Sequence, residues 1–396
     1  MGVFEDIPFG AVIAGSTAID AAVAGLALFG GRGRPAIGAA RVGLAFAATS
    51  AAFLLKLIVL GRLGVHLFGM MHLVYVDLVV LVPAIGAALL LASWPVRGEP
   101  WRRVSGPVRA AAAASLGLAF VGVFASWIEP YRLQLETARL AIPGRDGSEA
   151  VRVGVLTDLQ TDRVGEHERR AVDLLMAQKP DVILIPGDVF QGSHQEFEAN
   201  REALAALLAR LSAPGGVYLV LGDVDGPGDR ILSILDATSI RLLVDEVART
   251  TVNGRRLAIG GVELDYAGPA AQRLVERLEE GGDDGETRIL LAHRPDVALG
   301  LRPNSRVDLV VAGHTHGGQV VVPGYGPPVV LSGVPREVAA GGLHRIAGVP
   351  IYVSRGVGHE RGQAPRIRFL CPPEVSVIEL GGGPPAEVRN SGSGGG

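Results

Sequence analysis

At 396 residues, with 48% apolar and 19% charged side chains and a positive mean hydropathy, the chain fits neither a disordered polymer nor an ordinary water-soluble enzyme. Its 37 basic and 40 acidic side chains nearly cancel, and no run of Lys or Arg can track a phosphate backbone, which argues against nucleic-acid binding. The single cysteine, Cys371, excludes an intrachain disulfide framework and a cysteine-based metal site.

The apolar excess is concentrated at the start of the chain. Four stretches, near residues 9 to 30, 38 to 60, 69 to 93 and 108 to 128, are each long enough to cross ~30 Å at 1.5 Å per residue. A cleaved signal peptide does not fit, because MGVFEDIPFG carries two acids and no Lys or Arg. Arg32 and Arg34 follow the first span and Arg97, Arg102 and Arg103 the third, whereas only Arg62 follows the second. The Arg-rich links are therefore expected in the cytoplasm, with the N-terminus and everything after about residue 130 on the outer side of a cytoplasmic membrane. Trp94, Trp101 and Trp127 fall at or near span ends, where amphipathic rings prefer the interface. Asp20, Lys56, His72 and Asp77 lie inside the spans; snorkelling is expected for Lys56 and helix-to-helix hydrogen bonds for the others.

From residue 151 short β-rich runs alternate with helical patterns, the mark of an α/β domain. VRVGVLT, DVILIPG, GVYLVLG, TRILLAH and VDLVVAG each read as a buried strand ending in a polar turn. Helical stretches around 166 to 178 and 197 to 211 make the first three into consecutive βαβ units. TTVNGRRLAIGGVEL carries an Asn253-Gly254 turn between β-rich arms, which predicts a hairpin. The expected organisation is a four-helix transmembrane bundle over 1–130, a linker over 131–150, an α/β domain over 151–380 and a disordered tail over 381–396.

Chemistry-bearing residues cluster at the strand ends. Asp158 and Gln160 follow the first strand, Asp188 the second, Asp223 and Asp225 the third, His293 a fourth, and His314 and His316 a fifth. Open α/β sheets gather ligand sites outside the carboxyl ends of their strands. Carboxylates, an amide and three imidazoles converging there suit a dinuclear metal site. GHTHGGQ is the most specific piece, since two histidines two apart on a glycine-rich turn can reach neighbouring metals.

Taken in order, these motifs resemble the calcineurin-like metallophosphoesterases, whose signature runs D-x-H, G-D, G-N-H-D, H and G-H-x-H. The resemblance covers about 151 to 380, and VSRGVG, APRIR and PPEV resemble a membrane-associated bacterial branch. It implies a two-sheet β-sandwich flanked by helices. It also implies one metal held by Asp158, Gln160, Asp188 and His316 and another by Asp188, Asp223, His293 and His314, with Asp188 bridging. Two metals ~3.5–4 Å apart would generate a bridging hydroxide that attacks phosphorus in line. Arg355, in VSRGVG, is a candidate phosphate contact at the mouth of the site.

Three positions depart from the signature: Gln160 replaces the first-motif histidine, and Asp223 and Val224 replace the asparagine and histidine of G-N-H-D. The donor set thereby gains hard oxygens, favouring Mn²⁺, with Mg²⁺ or Fe next, over Zn²⁺. Val224 cannot protonate a leaving oxygen, which forfeits a typical ~10²–10⁴-fold; His194 and His359 are the candidate replacements. The expected function is a membrane-anchored phosphoesterase acting on a phosphodiester or lipid-linked phosphate, because tethering raises the local concentration of substrate at the bilayer. A phosphorylated small molecule is the other substrate class. The rival reading, motivated by Gln160 and Val224, is a weakly active or inactive protein that binds metal or a phosphorylated ligand in a regulatory role. A transporter reading rests only on Asp20 and Asp77.

Overall fold

The computed structural model describes residues 8–31, 36–96, 99–100, 103–142, 150–226, 229–280 and 285–381. Arg32, Arg34, Arg97, Arg102 and Trp101, and the tail from 382, on which the expectations of orientation and disorder partly rest, lie outside them. Two compact units emerge: one of the four N-terminal helices with the segment Glu360–Arg366, the other of Glu129–His359 with the chain from Ile367.

In the first unit, α1 (Phe9–Phe29), α2 (Ala39–Arg62), α3 (Leu67–Ser93) and α4 (Gly106–Tyr131) are each long and apolar enough to cross a membrane. Their outer faces are apolar too: Phe46, Leu54, Leu55 and Ile58 of α2 and Phe120 and Trp127 of α4 are all more than half exposed. Hydrocarbon solvates such a surface, whereas water does not. Polar groups turn inward instead. Lys56 is ion-paired with buried Asp20 and donates to Ser16 Oγ at 2.8 Å, and Asp77 accepts from Thr17 Oγ1 at 3.1 Å. Lys56 therefore does not snorkel to an interface, because an anionic partner on α1 lies within reach of its stem. A π-helical turn at Asp77–Leu81 lets α3 continue past Pro83, whose ring would otherwise clash with the preceding turn.

The second unit is a sandwich of two six-stranded sheets. Its strands are β1 (Gln134–Ala141), β2 (Val151–Val155), β3 (Val182–Ile185), β4 (Val217–Leu219), β5 (Ile240–Leu242), β6 (Glu246–Val252), β7 (Arg255–Gly261), β8 (Thr287–Leu291), β9 (Leu309–Ala312), β10 (Gly342–Ile346), β11 (Val349–Val353) and β12 (Glu374–Gly381). One sheet runs β1-β12-β2-β3-β4-β5 and the other β10-β11-β9-β8-β7-β6. Within the first, β2 to β5 are parallel; within the second, β7, β8, β9 and β11 are parallel. Helices α5 (Glu166–Met176), α6 (His194–Leu208) and α7 (Asp229–Leu235) contribute to the core on one sheet, and α8 (Pro269–Glu280) to the core on the other.

Burial on both faces explains why these strands read as unbroken apolar runs. Val182 and Leu184 point into the core between the sheets, while Ile183 and Ile185 point at the helices. On β9, Leu309 and Val311 face inward and Val310 outward. The predicted hairpin joins β6 to β7 antiparallel, with Asn253 and Gly254 at φ 52° and 72°, the signs a type I′ turn requires.

The expected linker over 131–150 is corrected in its first half. β1 pairs in parallel with β12 from Gln134 to Ala141. It escaped the sequence reading because it is an edge strand, with Ala138 and Leu140 buried while Arg139 is exposed, so its composition resembles that of a connector. Residues 143–149 of that stretch lie outside the described residues. A fragment beginning at Glu129 is expected to be more stable than one beginning at Ala150 by on the order of 3–6 kcal/mol, because the shorter one loses the burial of Leu133, Ala138, Leu140 and Ile142. Chemical denaturation of the two fragments measures this, and equal midpoints and slopes would contradict the placement of β1.

Candidate metal centre

Parallel strands of both sheets deliver polar turns to one pocket. Asp158 and Gln160 follow β2, Asp188 follows β3, Asp223 follows β4, His293 follows β8, and His314 and His316 follow β9. Three of the turns, those after β2, β3 and β9, share an unusual backbone: Asp158, Gln160, Asp188, His314 and His316 have φ of 49°, 36°, 54°, 71° and 49°. Left-handed non-glycine residues cost roughly 1–3 kcal/mol each and persist only where the surroundings over-determine them. Here Asp158 N donates to Gly187 O (3.0 Å), Gln160 N to Asp188 O (2.9 Å) and Gly313 N to His293 O (3.0 Å), while His314 N donates to Asp158 Oδ1 (3.1 Å). Two glycines permit the crowding. A Cβ on Gly222 would fall on Asp188, and one on Gly313 on Asp158 and Thr157.

The ligand-type side chains form two triads, Asp158 with Asp188 and His316, and Asp223 with His293 and His314; within each, the ligand atoms lie within 4.8 Å of one another. Asp188 also reaches across, its Oδ2 3.4 Å from His293 Nε2. His293 Nδ1 sits 2.8 Å from Pro186 O and His314 Nε2 3.0 Å from Leu331 O. Each carbonyl accepts a ring N–H and so turns the other nitrogen toward the carboxylates. Among the described residues, His293 Nε2 and His316 Nε2 are buried with no hydrogen-bond partner, a costly state for two ring nitrogens. Oxygen and imidazole donors, orphaned nitrogens and crowded carboxylates together fit a pair of divalent cations.

The electrostatics agree. Burial pushes the Asp158 carboxyl up to about 7 against the pull of His293, and burial likewise raises Asp188. Burial alone would lower His293, but Asp188 and Asp223 raise it to about 10. His316, buried and facing the Arg368 guanidinium, is held well below the ordinary histidine range. Asp158 and His293 thus tend to hold protons at neutral pH. Asp225 is a brace beneath the site: its carboxylate accepts from the N–H groups of Asp188 (2.9 Å), Val189 (2.7 Å) and Gly222 (2.7 Å), locking the second and third motifs together.

Not every expected residue plays its part. Gln160 Nε2 donates to Asp188 Oδ2 at 3.2 Å, so in this rotamer the amide steadies the shared carboxylate instead of offering its oxygen beside it. The reverse orientation would set oxygen against oxygen unless a cation lay between them. Arg355 does not present itself to a phosphate: its guanidinium pairs with Glu374 (2.5 Å) and Glu136 (2.6 Å), a demand imposed by the two acids on β12 and β1. His194 opens α6 on the exposed surface. His359 is half-buried, directly after Gly358, whose N–H donates to Asp158 O at 2.6 Å.

Two arginines went unread in the sequence. Arg368 is fully buried, donating to the carbonyls of Arg355 (2.7 Å), Gly356 (3.2 Å) and Cys371 (3.2 Å), with Nη2 3.5 Å from His316 Nδ1. Arg294 binds Asp223 through Nε (3.1 Å) and Nη2 (2.7 Å). Only the APRIR and HRPD spellings marked them, and neither spelling shows what a guanidinium caps.

A family model for calcineurin-like phosphoesterases matches residues 151–318. The chain is 30% identical over 207 residues to the uncharacterized metallophosphoesterase YkuE of Bacillus subtilis (strain 168), covering 51% of this chain and 68% of that one. The chain belongs to the calcineurin-like metallophosphoesterases. Within this family it is also 28% identical to the phosphodiesterase YaeI of Escherichia coli (strain K12), over 70% of this chain and 98% of that protein. An uncharacterized metallophosphoesterase of Aquifex aeolicus (strain VF5) is 27% identical over 65% and 95%. Family membership agrees with the two-sheet fold and with the ordered motifs.

Because Asp158 and His293 are raised to about 7 and about 10, both carry protons near neutrality that a cation displaces. Loading with Mn²⁺ at pH 7 is expected to release protons and to tighten as pH rises. Calorimetric enthalpies in buffers of different ionisation enthalpy measure this, and buffer-independent enthalpies would contradict it.

Proposed function

We propose that this metallophosphoesterase is anchored in a cytoplasmic membrane by its four helices, with the phosphoesterase unit on the extracytoplasmic side, and hydrolyses a phosphodiester or lipid-linked phosphate. The observation that carries the reading is the pair of ligand triads joined through Asp188. Asp158, Asp188 and His316 would hold one cation and Asp188, Asp223, His293 and His314 the other, with Gln160 steadying Asp188. The oxygen-rich set favours Mn²⁺, with Mg²⁺ or Fe next. Bound there, two divalent cations supply neutralisation of the phosphoryl oxygens and a water acidic enough to attack near neutral pH. The name of the Escherichia coli relative, a phosphodiesterase, supports a diester, and the long apolar helices support a substrate at the bilayer.

The chain's own contribution to the leaving group falls to His359. Val224 gives Asp188 Oδ1 a backbone N–H at 2.9 Å but has no side chain that moves a proton. His359 adjoins the Asp158 turn, whereas His194 opens a helix on the exposed surface, so His359 is the proton donor in this reading. A second reading keeps the fold and drops the turnover: Val224 and the amide orientation of Gln160 suit a site that retains a metal or a phosphorylated ligand without cleaving it.

Hydrolysis of an aryl phosphodiester by the detergent-solubilised full chain with Mn²⁺ separates the two. Asp188→Ala and His316→Ala are expected to lower kcat/KM by about 10³-fold or more. His359→Ala is expected to lower it by ~10²–10⁴-fold with a poor alkyl leaving group and far less with a good aryl one. Wild type as inert as Asp188→Ala over several metals would favour the binding reading.

A further inference from the structure

Asp223 poses a charge problem. Where the family signature has a neutral asparagine, this chain places a carboxylate beside His293 (3.4 Å) and His314 (2.8 Å), in a pocket already holding Asp158 and Asp188. A phosphate monoanion or dianion entering such a pocket meets one negative charge more than in the family pattern. Arg294 answers it. Its guanidinium grips both oxygens of Asp223, Nε at 3.1 Å from each and Nη2 at 2.7 Å from Oδ1, the planar fork geometry that lysine does not reproduce.

Three features make this more than a surface ion pair. Arg294 directly follows His293 at the end of β8, so the strand that positions a metal-type ligand also positions the guanidinium. The arginine side chain keeps 38% and the Asp223 side chain 26% of its exposure, which sets the pair at the rim, partly desolvated and open to an incoming solute. The bonds to Asp223 run from Nε and Nη2, and among the described residues Nη1 takes part in none of them. The neighbouring acid, Asp296, does not compete, being taken by Ser332 Oγ (2.6 Å) and Gly333 N (2.7 Å). Arg355, which the sequence offered for phosphate, is spent on Glu374 and Glu136.

We propose that Arg294 is the phosphate clamp of this site: held by Asp223, its free guanidinium edge binds a non-bridging oxygen of the substrate phosphate. Asp223 and Arg294 then form one unit, in which the carboxylate acts as positioning residue for the arginine as well as cation ligand. The proposal rests on the hydrolytic reading of the pocket for its substrate, but not for its test, since a phosphate clamp binds product phosphate whether or not turnover occurs.

The test uses the full chain in detergent, loaded with Mn²⁺, and inorganic phosphate as the probe. Arg294→Gln is expected to retain the wild-type manganese content while its affinity for phosphate falls by about 10–100-fold, the range of one lost charge-assisted hydrogen bond. Arg294→Lys is expected to recover only part of it, and Asp223→Asn, which keeps an oxygen donor but loses the fork, to weaken phosphate in the same direction. In diester hydrolysis the same loss appears in KM more than in kcat. Phosphate affinity within twofold of wild type in Arg294→Gln, or no phosphate binding by the manganese-loaded wild type, overturns the proposal. Wild type that binds phosphate through Arg294 and yet cleaves no ester sustains the clamp and overturns the hydrolytic reading alone.

Discussion

Everything in the phosphoesterase unit is arranged around one constraint: three carboxylates and three imidazoles are crowded into one pocket, four of the six buried. Burying ionised carboxylates is expensive unless they are paired or coordinate metal. The chain meets that cost with structure. Five left-handed residues in three turns, the Asp225 brace under the second and third motifs, and the carbonyl partners of His293 and His314 all hold the donors in place before any cation arrives. Such pre-organisation is what a binding centre needs, because ligands that are fixed in advance lose little entropy on binding.

The sandwich serves the same end. Strands buried on both faces are rigid platforms, and their parallel arrangement sends successive polar turns to the same edge. Each sheet contributes: three turns come from β2, β3 and β4, and two from β8 and β9. The His293 ring, hydrogen-bonded to Pro186 O from the other sheet, ties the two layers together at the point where the chemistry sits.

Much of this was legible in the sequence, and the reasons are local. An apolar run that ends in Asp or His is visible as a string of letters, so the five strands and the six residues that gather in the two triads could be read along with the Asn253-Gly254 hairpin and the four long helices. What escaped depended on long-range geometry. β1 is a half-exposed edge strand whose partner lies some 240 residues away in β12. Arg355 could not be distinguished from a phosphate contact without sight of Glu136 and Glu374, nor Lys56 from a snorkelling lysine without sight of Asp20 on the neighbouring helix. Arg294 and Arg368 differ only by burial and partners, which spacing does not encode. The substitutions at 160, 223 and 224 were plain in the letters, but their consequences were not: Gln160 turns its nitrogen to Asp188, and Asp223 acquires a guanidinium.

These departures from the family signature share a pattern. At 223 an added negative charge is matched by Arg294, and at 224 a lost side chain leaves the backbone N–H still bonded to Asp188. The framework of the centre is kept where its polar side chains have changed. The account stands on whether that framework gathers two cations. Anomalous X-ray scattering at the manganese edge, from crystals of the Mn²⁺-loaded protein, tests this most directly. Two peaks are predicted, one among Asp158, Asp188 and His316 and one among Asp223, His293 and His314, with Asp188 touching both. Density showing no manganese in this pocket, or a single ion that leaves one triad unused, would contradict it.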